Sequence, residues 1–363
     1  MLRAIPATLM RGGTSKGLYF DSADLPMELA ARDRVLLAAL GSPDPRQIDG
    51  LGGAHPLTSK VAVISRTSNP DADVEYLFLQ VAVDKAEVSA SQNCGNILAG
   101  VGPWAIDNGF VSPTAPVTPV RIHMLNTGSM AIAHVPTPAG VVEYSGETRI
   151  DGVPGTAAAI RIDFVDIAGS SCGSLFPTGR IVDEIDGLKV TCIDNGMPVV
   201  ILRAGDFGLD GSESPAEIES REDIRARIEH LRLSLGPRMN LGDVTRKTVP
   251  KMSLISPPMA GGTISTRTFI PHRVHEAIGV LGAISVATAC AIPRSVAATI
   301  ASPTDANSPS VFEIEHPTGS FTVEIDIRRT EPAVEVRRAA LLRTARKLMK
   351  GEVFVPASAW SQT

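Results

Sequence analysis

Short runs of β-branched residues, broken every few positions by glycine or proline, constrain this chain more than any other feature. Branched side chains pack well on a pleated surface, and Gly and Pro divide such runs into short strands joined by turns. The 363 residues include 32 Gly and 27 Pro, and aromatics supply only 4%, so the core has to be built from Val, Ile, Leu and Ala. Strands are predicted at Ile5–Met10, Gly17–Phe20, Lys60–Ile64, Val74–Val83, Val117–Leu125 and Met130–Val135. A second group falls at Leu188–Ile193, Val199–Leu202, Lys251–Ile255, Thr263–Phe269, Val311–Ile314 and Phe321–Ile327. An apolar helix interrupts each group. One is entered from Asn93 as N-cap and ends near Asn108-Gly109; the other spans Glu276–Ala291, and its Gly-Val-Leu-Gly-Ala echoes Gly-Asn-Ile-Leu-Ala in the first. Helices are also predicted at Met27–Leu40 and from Pro215 to Leu235, the latter opened by a Ser214/Glu217 capping box with Pro215 at its first position. Periodicity favours a helix at Val334–Met349, with a strand pair turning at Lys350-Gly351 as the competing reading. The chain thus reads as two similar halves, 1–183 and 184–363, divided at the turn signals Pro177–Gly179 and Asp186-Gly187, with the tail packing back on the first half.

Charge and cysteine usage exclude several classes. A formal charge of −5 does not suit phosphate-backbone binding, so no nucleic-acid partner is expected. Cys94, Cys172, Cys192 and Cys290 have neither metal-knuckle spacing nor the density of a disulfide framework. The N-terminal stretch lacks the uninterrupted apolar core of a signal peptide, and Ile278–Ile292 is too short to span a membrane. The expectation is a cytoplasmic protein with reduced thiols and no membrane partner.

Cys94 leads the candidates for chemistry. At the first turn of a helix, unpaired N–H groups and the helix dipole stabilise thiolate, and Gly95 leaves room for a ligand to approach the backbone. The alternative is a buried, inert cysteine. Lys60 opens an apolar strand, where it must be paired or have its pKa lowered, and a lowered pKa suits a base. Local pattern leaves open, and favours, a strand-end lysine that reaches solvent. Arg11-Gly12-Gly13-Thr14-Ser15-Lys16 lacks the spacing of a nucleotide phosphate loop; it is either a nest for a carboxylate or an ordinary tight turn. Arg267, His272, Arg273 and His275 precede the second apolar helix and suit an anion, with solvated loop charges as the alternative; a metal at the two histidines finds no acidic or cysteine partners at suggestive spacing. Asp194-Asn195-Gly196 and Asn126-Thr127-Gly128 are first of all turns. The carboxylates around Glu217–Asp223 alternate with arginines as on a solvated helix face. No Gly-x-Ser-x-Gly is present.

Met10-Arg11-Gly12-Gly13-Thr14-Ser15-Lys16-Gly17, Leu57-Thr58-Ser59-Lys60-Val61-Ala62-Val63 and Gln92-Asn93-Cys94-Gly95-Asn96-Ile97 resemble the 2-methylaconitate isomerase family, and within it the branch acting on 4-oxalomesaconate. So do Gln47-Ile48-Asp49-Gly50, Gly152–Gly155, Ile193-Asp194-Asn195-Gly196-Met197-Pro198, Gly236–Asp243 and Phe269-Ile270-Pro271-His272-Arg273, in order along the chain. The resemblance implies the diaminopimelate-epimerase-like α+β fold: two pseudo-symmetric domains, each a curled, mostly antiparallel sheet around a central helix, with the site between them. It implies Lys60 and Cys94 as the acid/base pair and favours strand for Leu341–Leu348. The implied substrate-binding set is Arg11, Gly12, Gly13, Thr14, Ser15, Ser59, Asn93, Gly95, Asn96, Asn195, Gly196, Met197, Arg267 and His272. Two-thiol epimerases of this fold carry a cysteine at the start of each central helix, whereas here Gly279 occupies the comparable second place. One lysine and one thiol suit a proton shift along an allylic system better than racemisation. The implied partner is a small unsaturated tricarboxylate, with no metal or organic cofactor; a homodimer is the working expectation for assembly. Rival expectations are the same chemistry on 2-methylaconitate, noncatalytic carboxylate binding, and metal-dependent hydrolysis.

Overall fold

The computed structural model describes residues 1–90, 93–270, 272–302, 310–330 and 333–360. It divides into two compact units, Met1–Asp163 with Leu342–Thr363, and Phe164–Leu341. The first division falls ahead of the expected 183/184 because the turn-rich stretch after residue 163 is not a linker. It hangs on Asp194, whose Oδ2 accepts from the backbone N–H groups of Ser171 and Cys172, both at 2.8 Å, while Gly169 N–H donates to the Asp194 carbonyl at 2.7 Å.

Unit 1 contains β1 (Leu2–Gly12), β2 (Ser15–Asp21), α1 (Leu29–Leu40), β3 (Lys60–Arg66), β4 (Val74–Val81), β5 (Val88–Ser89), α2 (Gly95–Leu98), α3 (Val101–Asp107), β6 (Val117–Met124), β7 (Ser129–Pro136) and most of β8 (Ala159–Val165). Unit 2 contains β9 (Asp183–Ile185), β10 (Leu188–Asp194), β11 (Pro198–Arg203), α4 (Pro215–Ser220), α5 (Glu222–Arg238), β12 (Lys251–Ser256), β13 (Ile264–Phe269), α6 (Val280–Ala291), β14 (Ser310–His316) and β15 (Gly319–Thr330). The last strand, β16 (Ala333–Pro356), begins in unit 2 and ends in unit 1 before α7 (Ala357–Trp360). Each expected strand is present, with β5, β8 and β9 added.

The two units repeat one pattern. From β1 through β2, β3, β4 and β6 to β7, neighbours pair antiparallel, parallel, antiparallel, parallel and antiparallel. The run β10-β11-β12-β13-β14-β15 pairs in the same alternation. Helices enter at matching places: α1 and α4–α5 bridge the first parallel pair, α2–α3 and α6 the second. Even the residues echo, since Lys60-Val61-Ala62-Val63-Ile64-Ser65 and Lys251-Met252-Ser253-Leu254-Ile255-Ser256 open the equivalent strands. This is the α+β architecture expected, with mostly antiparallel sheets whose parallel pairs fall where the helices cross over.

Alternation along the strands sorts the cores. In unit 1, Leu18, Phe20, Val61, Val63, Leu79 and Val81 pack with Val35, Leu36 and Leu40 of α1. The opposite face carries Tyr19, Ala62, Tyr76 and Phe78 and receives α2 and α3. In unit 2, Val200, Leu202, Met252, Leu254 and Phe269 pack with Ile228, Leu231 and Leu235 of α5. Each such buried side chain contributes about 1.5–3 kcal/mol.

Three helical expectations need correction. The first apolar helix is capped by Cys94, not Asn93, and breaks at Ala99–Gly100 into α2 and α3. Pro103 lacks an N–H and its ring collides with the carbonyl four residues back, so a continuous helix cannot pass Ala99. The charged helix breaks at Arg221, which is extended (φ −87°, ψ 92°). Ile218 and Ile224 are both buried in the unit 2 core, yet six residues of unbroken helix set them about 120° apart around its axis. The tail is a strand throughout, without a turn at Lys350-Gly351: 333–341 pairs with β15, and 345–356 pairs with β1, Lys350 opposite Thr8 and Gly351 opposite Ala7. Its Ala, Leu, Arg and Lys favour helix locally, but two strand edges need ladder partners, and tertiary pairing prevails. Among the described residues no helix is long and apolar enough to cross a membrane.

Lys251 is partly buried, and among the described residues its ammonium has no hydrogen bond or ion pair. Burial, reinforced by the Arg232 guanidinium, pushes it down to about 8 from 10.5. The unfolded chain therefore binds this proton more tightly than the folded one, and stability rises as pH climbs from about 8 towards 10.5. Urea titrations across that window are expected to show the rise in the natural protein and its absence in Lys251→Met.

Candidate active site

Lys60 and Cys94 both belong to unit 1 and rise on the same side of its sheet. Lys60 is the first residue of β3, opposite Gly17 of β2 and Gln80 of β4. It is 7% exposed, which removes the reading of a strand-end lysine in solvent. Its Nζ donates to Gln80 Oε1 at 2.7 Å and lies 5.1 Å from the centre of the Phe78 ring. The Gln80 amide cannot flip, because its Nε2 lies within 3.0–3.2 Å of the carbonyls of Ser59, Pro56 and Val81. The amine is thus held by a neutral acceptor. Among the described residues no carboxylate comes within ion-pair distance of it.

Cys94 is a free, partly exposed thiol in an extended backbone conformation (φ −130°, ψ 100°) at the start of α2. Two phenols fix that turn from the sheet below. Tyr19 donates to the Ile97 carbonyl at 2.6 Å and Tyr76 to the Cys94 carbonyl at 3.3 Å. Both phenols are pushed well above 10, first by burial and then by the nearby Cys94 sulfur, which keeps them protonated as donors. The other thiols are held protonated by burial: Cys172, beside Asp194, and Cys290 are each pushed up to about 12, and Cys192 is raised as well.

The β1–β2 turn is fastened to α2. Asn96 Nδ2 donates to Thr14 Oγ1 at 3.0 Å, and Thr14 N–H donates back to Asn96 Oδ1 at 3.4 Å. A side chain at Gly12 would strike the Asn96 carbonyl and come within 2.9 Å of the Tyr19 hydroxyl. Gly13 has φ +51°, and its N–H donates to the Thr344 carbonyl at 2.8 Å. The Gly13 and Thr14 N–H groups are therefore spent inside the protein, which corrects the expectation of an open backbone nest there. Arg11 Nη1 donates to the Gly13 carbonyl at 2.8 Å and to Thr344. Ser15 is buried, and among the described residues its Oγ has no hydrogen-bond partner.

Other predicted residues have structural partners. Ser59 Oγ lies 2.8 Å from Gln47 Oε1 and 2.9 Å from the His55 carbonyl, holding the loop before β3. Asn93 Nδ2 donates to Thr127 Oγ1 at 2.7 Å, while its buried Oδ1 has no partner among the described residues. Gly95 is the first residue of α2.

In unit 2 the Asn195–Met197 turn docks on α6 as the first turn docks on α2. Asn195 Nδ2 donates to Thr288 Oγ1 at 2.8 Å, Ser285 Oγ donates to the Met197 carbonyl at 2.8 Å, and Gly196 has φ +86°. Arg267 and His272 are not brought to this face. Arg267 shares its side of β13 with Phe269, against α5, and its Nε donates to the Glu213 carbonyl at 2.6 Å. His272 is exposed, its Nδ1 3.8 Å from Glu229 of α5. Strand parity explains this: Thr266 and Thr268 point the other way.

Tyr19, Tyr76 and Gln80 escaped the sequence analysis. Gln80 had a signal, being the polar residue in the apolar run from Leu77 to Val83. The tyrosines had none, since a tyrosine in a buried strand is ordinary.

The sequence profile described as PrpF protein matches residues 2–356. The chain belongs to the PrpF family. It is 56% identical over 356 residues to the 4-oxalomesaconate tautomerase of Pseudomonas putida, covering 98% of this chain and 97% of that protein. It is 57% identical over 350 residues to the (4E)-oxalomesaconate Delta-isomerase of Novosphingobium sp., covering 96% and 97%. The crystal structure of methylitaconate-delta-isomerase superposes with a TM-score of 0.87 at 34% identity, covering 100% of this PrpF chain and 98% of that one. A hydroxyproline epimerase from Agrobacterium vitis, 14% identical with a TM-score of 0.55, shares the fold.

In this PrpF chain Gly12→Ala forces a methyl group against Asn96 and displaces the turn that carries Cys94. The expected cost is about 1–3 kcal/mol of stability, read from urea unfolding, together with an altered rate of Cys94 alkylation in the folded variant.

Proposed function

We propose that this chain is an isomerase that tautomerises 4-oxalomesaconate by moving one proton through a dienolate, with Lys60 and Cys94 as the acid/base groups. The observation that carries this reading is 56–57% identity, over nearly the whole chain, to two proteins that act on oxalomesaconate. The relative described as a 2-methyl-aconitate isomerase, from Shewanella oneidensis, is 36% identical.

A proton on carbon next to a conjugated carbonyl is acidic because its electron pair delocalises onto oxygen. Lys60 takes that proton, and the C–H pair becomes the dienolate. Cys94 returns a proton at the other end of the conjugated system, and solvent exchange resets both groups. A lysine held by a neutral amide loses no ion pair when its charge changes. The fixed Gln80 carbonyl keeps the amine aimed through the cycle. Tyr19 and Tyr76 act as positioning residues by holding the turn beneath the thiol.

General acid/base groups each supply about 10²–10⁴-fold in rate. Lys60→Ala and Cys94→Ala are each expected to lose at least about 100-fold in kcat while remaining folded. Proton NMR of 4-oxalomesaconate in heavy water follows both the shift and deuterium uptake. Undiminished turnover by a folded Lys60→Ala removes the lysine as the base. Binding without deuterium entry makes the chain a carboxylate-binding protein, and faster conversion of 2-methylaconitate reassigns the substrate. Full activity is expected after chelation with EDTA, assayed by the ultraviolet change of the conjugated system.

A further inference from the structure

One edge of β4 is closed by a side chain where a strand would be expected. On the edge away from β3, β6 pairs with Val74–Tyr76 and β5 with Gln80 and Val81. Among the described residues Phe78, between them, has no strand partner on that edge. Asn126, from the turn between β6 and β7, fills the gap. Its Oδ1 accepts from the Phe78 N–H at 2.8 Å, and its Nδ2 donates to the Phe78 carbonyl at 2.9 Å. The same Nδ2 donates to the carbonyl of Ala90, just past β5, at 2.9 Å. One side-chain amide thus supplies the donor and the acceptor that a neighbouring strand residue would have supplied. The next residue, Thr127, reaches the other reacting group. Its Oγ1 accepts from Asn93 Nδ2 at 2.7 Å, and Asn93 directly precedes Cys94. The turn itself closes through its backbone, where the Thr127 and Gly128 N–H groups donate to the Met124 carbonyl at 3.2 and 2.8 Å. Neither side chain is therefore needed to make the turn, and Thr127 is exposed, so its methyl group adds little to the core.

We propose that Asn126 and Thr127 are positioning residues that together set the spacing between the two acid/base groups. The proposal rests on the reading of Lys60 and Cys94 as the proton-transfer pair. Lys60 takes its place from two residues of β4: the Phe78 ring, 5.1 Å from Nζ, and Gln80 Oε1, at 2.7 Å. Asn126 holds the backbone of the first and ties down the end of β5, which pairs with the second. Cys94 takes its place from a turn held at its own carbonyl by Tyr76 and at the preceding residue by Thr127. Adjacent residues of one hairpin turn therefore fasten the lysine end and the thiol end of the site. Moving a proton between two ends of one skeleton depends on that spacing, and a displacement of about 1 Å costs about 100-fold in rate. Asparagine suits the first position chemically: aspartate has no N–H to offer the two carbonyls, and glutamine carries an extra methylene into a gap one residue long.

Thr127→Val keeps the shape of the side chain and removes the acceptor. It is expected to lower kcat for 4-oxalomesaconate about tenfold with little change in KM, because the thiol is displaced and binding is not. Thr127→Ser restores the hydroxyl and is expected to recover most of the rate. Proton NMR in heavy water supplies a readout that a loss of stability does not move. In Thr127→Val, Lys60 still removes the proton and returns a deuteron from its exchanged ammonium, while delivery by Cys94 is impaired. Deuterium in unconverted substrate therefore rises relative to product. Asn126→Ala acts at the lysine end and is expected to slow deuterium entry and conversion together; the Thr127 variants carry the test if it does not fold. Alkylation of Cys94 by iodoacetamide, read by mass spectrometry, reports on the thiol without turnover and is expected to change in Thr127→Val and return in Thr127→Ser. In folded Thr127→Val, an unchanged kcat, an unchanged ratio of exchange to conversion, or a loss that serine does not recover overturns the proposal. If the natural protein fails to convert 4-oxalomesaconate while Cys94 alkylation still follows the Thr127 hydroxyl, the activity reading falls and the hold on the thiol stands.

Discussion

Two glycines allow one turn to lie directly against the start of a helix, and the geometry of the candidate site follows from that contact. Gly12 has no room for a side chain beside the Asn96 carbonyl, and Gly13 has none beside the Asn96 amide. Asn96 then bonds Thr14 from both ends of its amide. The turn, the first residues of α2 and the strands below become one assembly, and Cys94 takes its position from it. Tyr19 and Tyr76 complete the assembly by donating second hydrogen bonds to the Ile97 and Cys94 carbonyls, which already accept from the Gly100 and Leu98 N–H groups.

The same construction occurs in each unit, but its chemistry does not. Both units dock a glycine-bearing turn on a central helix, and both open the strand after the outer helix with lysine. In unit 1 that lysine is paired with a glutamine, and the central helix begins at a cysteine. In unit 2 Lys251 stands without such a partner among the described residues, and Gly279 caps the helix. A duplicated scaffold with one thiol is suited to moving a proton from one end of a conjugated skeleton to the other. Inverting a single carbon instead needs an acid on one side and a base on the other.

The legible parts of the sequence were those governed by local rules. Strand runs, the Ser214 capping box and the glycine turns all depend on a few neighbouring residues, and each is where it was expected. The illegible parts depended on distant partners. The tail is made of good helix formers and becomes a strand because β1 and β15 offer it unpaired edges. Arg267 was grouped with His272 by proximity along the chain, whereas strand alternation turns it towards α5. Ser59 resembled a binding residue and is occupied with Gln47 and His55, a bond closed across a loop.

By itself the sequence determined the α+β class, the repeated halves, the family, and the two side chains proposed to carry protons. Those follow from periodicity and from motif residues that are contiguous along the chain. Only the tertiary structure decided that Lys60 is buried against Gln80, that the turn amides at Gly13 and Thr14 are already bonded, and that the Asn126 amide closes the edge of β4 beside Phe78. Each of these depends on sheet register and loop closure between residues far apart in sequence. A single chain read in order carries no local mark of which distant strand will lie beside it.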